Sequence, residues 1–185
     1  PTRRGDAGPR SLNFALQAAL NPPKPGKQER RFGELIFREG DRVMQTRNDY
    51  DVVWQKEDGT AGTGIFNGDV GKIAKIDPSG ELLEIVFDDR TATYTSDMLA
   101  ELDMAYAMTV HKAQGSEYRG VVFIGAPCAP SLMVRGVLYT AITRARELLV
   151  IVGDDSAVNK MAENDRRSRR YSGLKWRLRK GGEEK

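Results

Sequence analysis

The chain has 185 residues and a formal net charge of +3, with Cys128 its only cysteine and His111 its only histidine, so a disulfide framework and a Cys/His zinc site are both excluded within one chain. Residues 165–185 carry nine Lys/Arg against three acids, leaving twenty basic and twenty-three acidic side chains on residues 1–164. The body is therefore not a uniformly basic nucleic-acid binder, and any contact to DNA must come from a local groove.

Ser11 is placed to cap a helix over Leu12–Leu20, with Leu12, Leu16, Ala19 and Leu20 on one face. Asn21-Pro22-Pro23 ends it, because proline lacks the N–H and drives the preceding residue out of the α region. Lys24–Arg31 is polar and reads as a connector. From about Glu34 to Leu99 the pattern turns to short β runs, RVMQT, VGKIAKI, ELLEIVF and TATYT, which predict a small barrel. ELLEIVF alternates, with Leu83, Ile85 and Phe87 on one face. Gln55–Gly64 is polar and glycine-rich, as at a hairpin tip, and Asn67-Gly68 is the preferred two-residue hairpin turn.

After Leu102 the pattern is α/β. AYAMTV, VVFIG and LLVIVG read as strands, with a helix capped by Ser131 running to about Arg146 and a short helix over Ser156–Asn164. VVFIG and LLVIVG are apolar on both faces, as in central parallel strands covered by helices. The basic stretch RRSRRYSGLKWRLRK places Leu174 and Leu178 at helical spacing around Trp176, which predicts a docked amphipathic helix. No run of about eighteen apolar residues and no charged-then-apolar leader is present, so no membrane association is expected.

Chemistry-bearing residues concentrate in Ala105–Gly125, where Thr109, His111, Lys112, Gln114, Gly115, Ser116 and Glu117 fall between apolar flanks that would fix their geometry. Gly115 lets backbone approach a ligand, and Glu117 can accept a hydrogen bond from a sugar hydroxyl. Arg144 and Arg146 follow the predicted helix YTAITRAR. As helix-end cations they favour its dipole; as planar, permanently charged forks they suit phosphate oxygens. Tyr139, in the same stretch, either supports Arg144 or packs in the core, and packing is the preferred reading. Arg3 and Arg4 precede a predicted helix N-terminus, itself an anion site. Arg47, Asn48 and Tyr50 on the barrel suit clamping and stacking of a single strand. No G-x-x-x-x-G-K-[ST] phosphate loop occurs: Gly71-Lys72 has Phe66 and Ile73 at the deciding positions, and Gly26-Lys27 has Asn21 and Gln28.

TVHKAQGSE resembles motif V of superfamily 1 DNA helicases in its RecD-like form, and Leu138–Asp154 resembles their motif VI. PTRRGDAGPRSLNFALQAALNP is similar to the region around their motif IV. GDRVMQTRNDYD with IFNGDVGKI is similar to the SH3-like barrel inserted in the second RecA-like domain of RecD2-like, superfamily 1B helicases. These matches stand in the family's order and run to about Trp176.

The resemblance implies a RecA-like α/β parallel-sheet domain over residues 1–33 and 102–180, an inserted barrel over 34–101 and a tail over 181–185. It implies an ATP-dependent 5′→3′ DNA helicase of the bacterial cytoplasm that uses ATP and Mg2+. Arg144 would be the arginine finger, Gln114, Gly115, Glu117 and Arg4 the nucleotide side, and Thr109, His111, Arg47 and Asn48 the single-stranded DNA side. The chain begins at Pro1 within a motif, which reads as an excised part. The N-terminal RecA-like domain of the parent would supply the Walker A lysine and Walker B acid, and this part alone would not hydrolyse ATP. Two alternatives stay open: a non-enzymatic SH3-like interaction module on an α/β base, and the helicase half of a conjugative relaxase or the RecD subunit of a nuclease complex.

Overall fold

The structure, a computed structural model, describes Gly5 and residues 7–166; Arg3, Arg4 and the predicted helix around Trp176 lie outside these. The first helix, α1, is Pro9–Leu20, with Gly8 as its N-cap and Pro9 supplying a preset φ at the first turn. Ser11 is not the cap: it sits inside the helix, and its hydroxyl donates to the Gly5 carbonyl at 3.0 Å. The expected apolar face is not the most buried one: Leu12 and Leu16 are half-buried and Leu20 is 68% exposed, whereas Asn13, Gln17 and the C-cap Asn21 are buried. This amide stripe faces the chain because α1 docks on loop backbone and one carboxylate, which side-chain amides satisfy and leucines cannot.

Strands β1 (Glu29–Phe32) and β2 (Leu35–Arg38) form an antiparallel hairpin, so the polar connector ends inside a strand. Next come β3 (Arg42–Gln45), β4 (Asp49–Gln55), β5 (Ala61–Ile65), β6 (Val70–Ile76), β7 (Leu82–Phe87) and β8 (Arg90–Thr95). A 3-10 turn at Met98–Glu101 leads into β9 (Leu102–Met104). These seven strands make one antiparallel sheet in the order β5-β4-β8-β7-β6-β3-β9. Ile65 of β5 and Leu102 and Met104 of β9, at opposite ends of that order, share one core with Phe37, Val43, Ile73, Leu83, Ile85, Phe87 and Tyr94. The sheet therefore curls around a single interior, with β7 alternating as its sequence predicts.

Gln45 is fully buried in that interior, accepting from the Tyr94 hydroxyl at 3.0 Å and donating to Glu101 at 2.8 Å, so no polar group of the pair is stranded. Burial raises the Tyr94 phenol well above its ordinary pKa. Asn67-Gly68 does form a turn, closed by the Asp69 N–H on the Phe66 carbonyl at 2.9 Å. It is not a hairpin turn, because the strands it joins, β5 and β6, are not neighbours in the sheet. Pairing of β9 with β3 returns the chain to where it entered the sheet.

The remainder is β10 (Tyr118–Gly125), α2 (Arg135–Ile142), β11 (Ala145–Gly153) and α3 (Asp155–Glu163), with β10 and β11 parallel. AYAMTV is not a strand: its backbone groups are taken up singly by α1 and by β3, leaving no ladder to extend. Ser131 caps nothing, since α2 begins three residues after a turn with Val134 as its N-cap. The cap of α3 is Asp154, whose carboxylate accepts the Ser156 N–H at 2.8 Å.

Phe123, Leu138, Ala141 and Met161 form the second core, joined by Val110 and Leu149. The sequence pattern suggested helices on both faces of the parallel pair; among the described residues α2 and α3 cover one. Val122, Leu148, Val150 and Val152 are exposed on the other. At the strand ends Gly153 (φ 138°) lies so close to Gly125 that an added Cβ would overlap the Gly125 carbonyl. Among the described residues no helix is long and apolar enough to cross a membrane.

Candidate functional site

Two segments distant in sequence meet where α2 ends. Arg144 follows the helix C-cap Thr143, and its guanidinium donates through Nε to the Thr140 carbonyl at 3.1 Å, through Nη1 to the Ser116 carbonyl at 2.9 Å and through Nη2 to Thr143 Oγ1 at 3.2 Å. The Tyr118 N–H returns a bond to the Arg144 carbonyl at 2.8 Å. All three acceptors of the half-buried guanidinium are neutral, and no carboxylate among the described residues lies within ion-pair distance of it. Arg144 thus closes the helix end and still carries an uncompensated charge with two N–H groups to spare.

Arg146 is placed differently. It is the second residue of β11, not a helix end, and it pairs with Glu117 across 2.5 Å. The Glu117 oxygen Oε2 is committed to that pair. Gln114 and Gly115 lie on the exposed turn just before Glu117. Gly115 adopts φ 92°, and an added Cβ there would meet nothing within 4 Å, so its backbone faces open space. Tyr139 is 68% exposed on α2 and does not pack in the core, contrary to the preferred sequence reading.

The preceding turn, Thr109–Gly115, is organised by Thr109. Its carbonyl accepts from Ala113 N–H at 3.1 Å and its hydroxyl from Lys112 N–H at 3.3 Å, leaving His111 exposed at the tip. Lys112 stands 3.5 Å from Asp103. On the sheet, the side chain of Arg47 is 62% exposed and 3.6 Å from Glu101. Asn48 accepts the Asn67 N–H at 3.0 Å and so fixes the β5–β6 turn. That turn reaches the other one: a Cβ on Gly68 would touch the Lys112 carbonyl at 4.0 Å. Beside it, the exposed rings of Tyr50 and Phe66 meet edge-to-face at 5.6 Å. A cleft of about 380 Å³ lined by Phe14, Leu35, Met44, Met108, Thr109 and Lys112 separates α1 from this turn.

One buried cluster was invisible in the sequence reading. Asp41, with no exposed surface, accepts from Gln17 Nε2 at 2.6 Å, Asn21 Nδ2 at 2.6 Å, the Arg38 N–H at 2.8 Å and the Tyr106 hydroxyl at 2.8 Å. Burial and the bond to Asp41 push the Tyr106 phenol up to about 12. Asn13 holds the next residue by both edges, donating to the Ala107 carbonyl and accepting its N–H, each at 2.8 Å. The available signal was the amide spacing Asn13, Gln17, Asn21, one residue per helical turn.

The sheet and the α/β part each match a known protein family. Residues 12–87 match the family described as the ATP-dependent RecD-like DNA helicase SH3 domain, and residues 104–152 the UvrD-like helicase C-terminal domain. The ATP-dependent RecD2 DNA helicase of Deinococcus radiodurans is 36% identical over 169 residues, 91% of this chain and 21% of that protein. The RecBCD enzyme subunit RecD of Mycolicibacterium smegmatis is 32% identical over 183 residues, 97% of this chain and 28% of that subunit. The chain thus spans between a fifth and a third of the length of these relatives. In structure it is similar to Bacteroides Pif1 solved with single-stranded DNA, with a TM-score of 0.52 at 17% identity over 94% of this chain and 44% of that one. That likeness establishes the fold, a RecA-like α/β domain carrying an SH3-like sheet. With both domains matched in order, and relatives aligned over nearly its whole length, the chain carries an SH3 domain and a C-terminal domain of the kinds found in RecD-like DNA helicases.

Proposed function

We propose that this chain is the arginine-supplying part of an ATP-dependent helicase that moves 5′→3′ along single-stranded DNA. A second RecA-like domain of the same protein would carry the Walker A lysine, the Walker B acid and the ligands for Mg2+. The observation that carries the reading is Arg144: a guanidinium held in place by neutral acceptors only, beside an open glycine turn.

ATP, when bound between the two domains, supplies the phosphoryl group whose transfer powers the motor. Arg144 presents its spare N–H groups to phosphate oxygens as negative charge builds on them. Because Nη1 rests on the Ser116 carbonyl, any shift of the Thr109–Glu117 segment is felt at the guanidinium. Gly115 and Gln114 line the nucleotide side, where Glu117 Oε1 accepts from a sugar hydroxyl while Oε2 stays with Arg146. Arg4, which lies outside the described residues, is assigned a further phosphate contact on the motif resemblance alone. On the other side Thr109 and His111 track the DNA backbone, Arg47 and Asn48 extend that track onto the sheet, and Tyr50 and Phe66 offer faces for bases to stack on. The parent protein works in the bacterial cytoplasm in DNA repair or recombination.

The test is steady-state ATP hydrolysis with and without single-stranded DNA. The full-length protein should show turnover that rises with DNA, and the 185-residue chain alone should show none. Turnover by a clean preparation of the chain alone refutes the division of labour.

A further inference from the structure

Tyr106 and Val110 are four residues apart and belong to different interiors: Tyr106 packs against the core of the curled sheet, Val110 against that of the α/β part. The stretch between them is pinned from two sides. The Ala105 N–H donates to the Arg42 carbonyl at 2.9 Å, Tyr106 donates to Asp41, and Ala107 is held by Asn13 on α1. Asp41 in turn grips α1 through Gln17 and Asn21. The start of β3 and α1 therefore converge on the approach to the Thr109–Gly115 turn, and each bond to Asp41 comes from a different side chain or backbone group.

We propose that Asp41, acting through Tyr106 and α1, is a positioning residue that sets the height and orientation of the Thr109–Gly115 turn, and so couples the SH3-like sheet to the turn that meets DNA. Four donors and no acceptor surround this carboxylate, so it acts as an acceptor-only hub that no neutral side chain of the same shape can replace. Losing one arm frees the turn at its root while both cores remain packed. The residues between Asp41 and Arg144 form one bonded path: Tyr106, the turn, and the Ser116 carbonyl. A displaced turn is thereby felt at Arg144 without any change in the residues that touch nucleotide.

The inference rests on the proposed helicase reading for its catalytic readout, and a second readout is independent of it. Tyr106→Phe removes one hydroxyl and keeps the ring, so it should fold; Asp41→Asn is the stronger lesion. By hydrogen–deuterium exchange on the chain, Tyr106→Phe should accelerate exchange in residues 105–116 while the amides of β6, β7 and β8 stay as slow as in the wild type. In the full-length protein the ratio of DNA-stimulated to basal ATP turnover should fall about tenfold, the size of a lost hydrogen bond to a charged group, with KM for ATP unchanged. Asn13→Ala, cutting the other hold on the same stretch, should act in the same direction. Uniform loosening of both cores, or unchanged exchange at 105–116, overturns the proposal. If exchange changes as expected but the wild type shows no DNA stimulation at all, it is the helicase reading that fails, and the positional role of Asp41 stands.

Discussion

Arg144 donates through Nη1 to the carbonyl of Ser116, 2.9 Å away, joining the C-terminal end of α2 to the turn that precedes β10. Two residues on, Arg146 is neutralised by Glu117, so of this pair only Arg144 keeps its charge for a ligand. In the full-length protein Arg144→Ala should lower DNA-stimulated ATP hydrolysis by about 10³-fold, with nucleotide affinity largely kept. Arg144→Lys should rescue little, since an ammonium cannot span three acceptors and a phosphate together. Turnover equal to wild type would leave Arg144 as a helix-end charge.

His111 stands at the tip of its turn, exposed and without a side-chain bond among the described residues. His111→Ala should weaken single-stranded DNA binding, or its stimulation of ATP hydrolysis, by roughly three- to tenfold, the worth of about one hydrogen bond. Nucleotide binding should be spared. Equal loss on both sides would return His111 to a structural role.

If the sheet lies on the DNA path as proposed, its contribution should separate into charge and stacking. Arg47→Ala should reduce the slope of log K against log salt for single-stranded DNA by about 0.7, one phosphate contact. Tyr50→Ala should cost about 1–3 kcal/mol of affinity and leave that slope alone. Fluorescence titrations at several salt concentrations distinguish the two, and an unchanged affinity for both variants removes this face from the DNA path.

Gly62 and Gly153 are two of the glycines at which a side chain would collide with a neighbour. An added Cβ at Gly62 would lie 2.5 Å from the Trp54 ring, and one at Gly153 would overlap the Gly125 carbonyl on a backbone with φ 138°. Gly62→Ala should destabilise by about 1–3 kcal/mol, because a ring can shift a little. Gly153→Ala adds backbone strain to the clash and should cost more, which chemical denaturation would register.

The α3 cap gives a pH signature. The Ser156 hydroxyl and N–H hold the Asp154 carboxyl below its ordinary pKa. A depressed carboxyl stabilises the fold above its unfolded pKa and loses that contribution as pH falls through the folded value, so α3 should loosen below about pH 4. Asp154→Asn, which caps by its amide oxygen, should hold α3 near neutral pH and flatten this acid limb. Amide exchange in residues 155–163 follows it.

Sequence patterning was readable where a residue's surroundings are generic. β7 alternates because one side of it faces apolar interior, and RVMQT, VGKIAKI and TATYT mark strands for the same reason. The segments around Glu117 and Arg144 were readable as motifs, and the fold does bring them together. What failed were elements whose partners are distant. α1 turns amides inward because Asp41 and Ala107 wait there, which its own leucines could not announce. AYAMTV looks like a strand, yet its neighbours are a helix side chain and a strand end. β1 is short and charged, and exists by pairing with β2.

Asn13 and Ala107 are separated by 94 positions, and bringing such distant points together from an open chain costs about 4 kcal/mol in closure entropy. The pairing of β3 with β9 meets most of that requirement beforehand, because it seals the long excursion between them into a folded unit. The amide clamp on Ala107 is thus expected to form late in folding, after a sheet that contains neither of its residues, an order that pulsed amide exchange during refolding would check. A lesion deep in that sheet, at Ile85 for example, would therefore surface first as slow or incomplete seating of α1, far from the altered side chain.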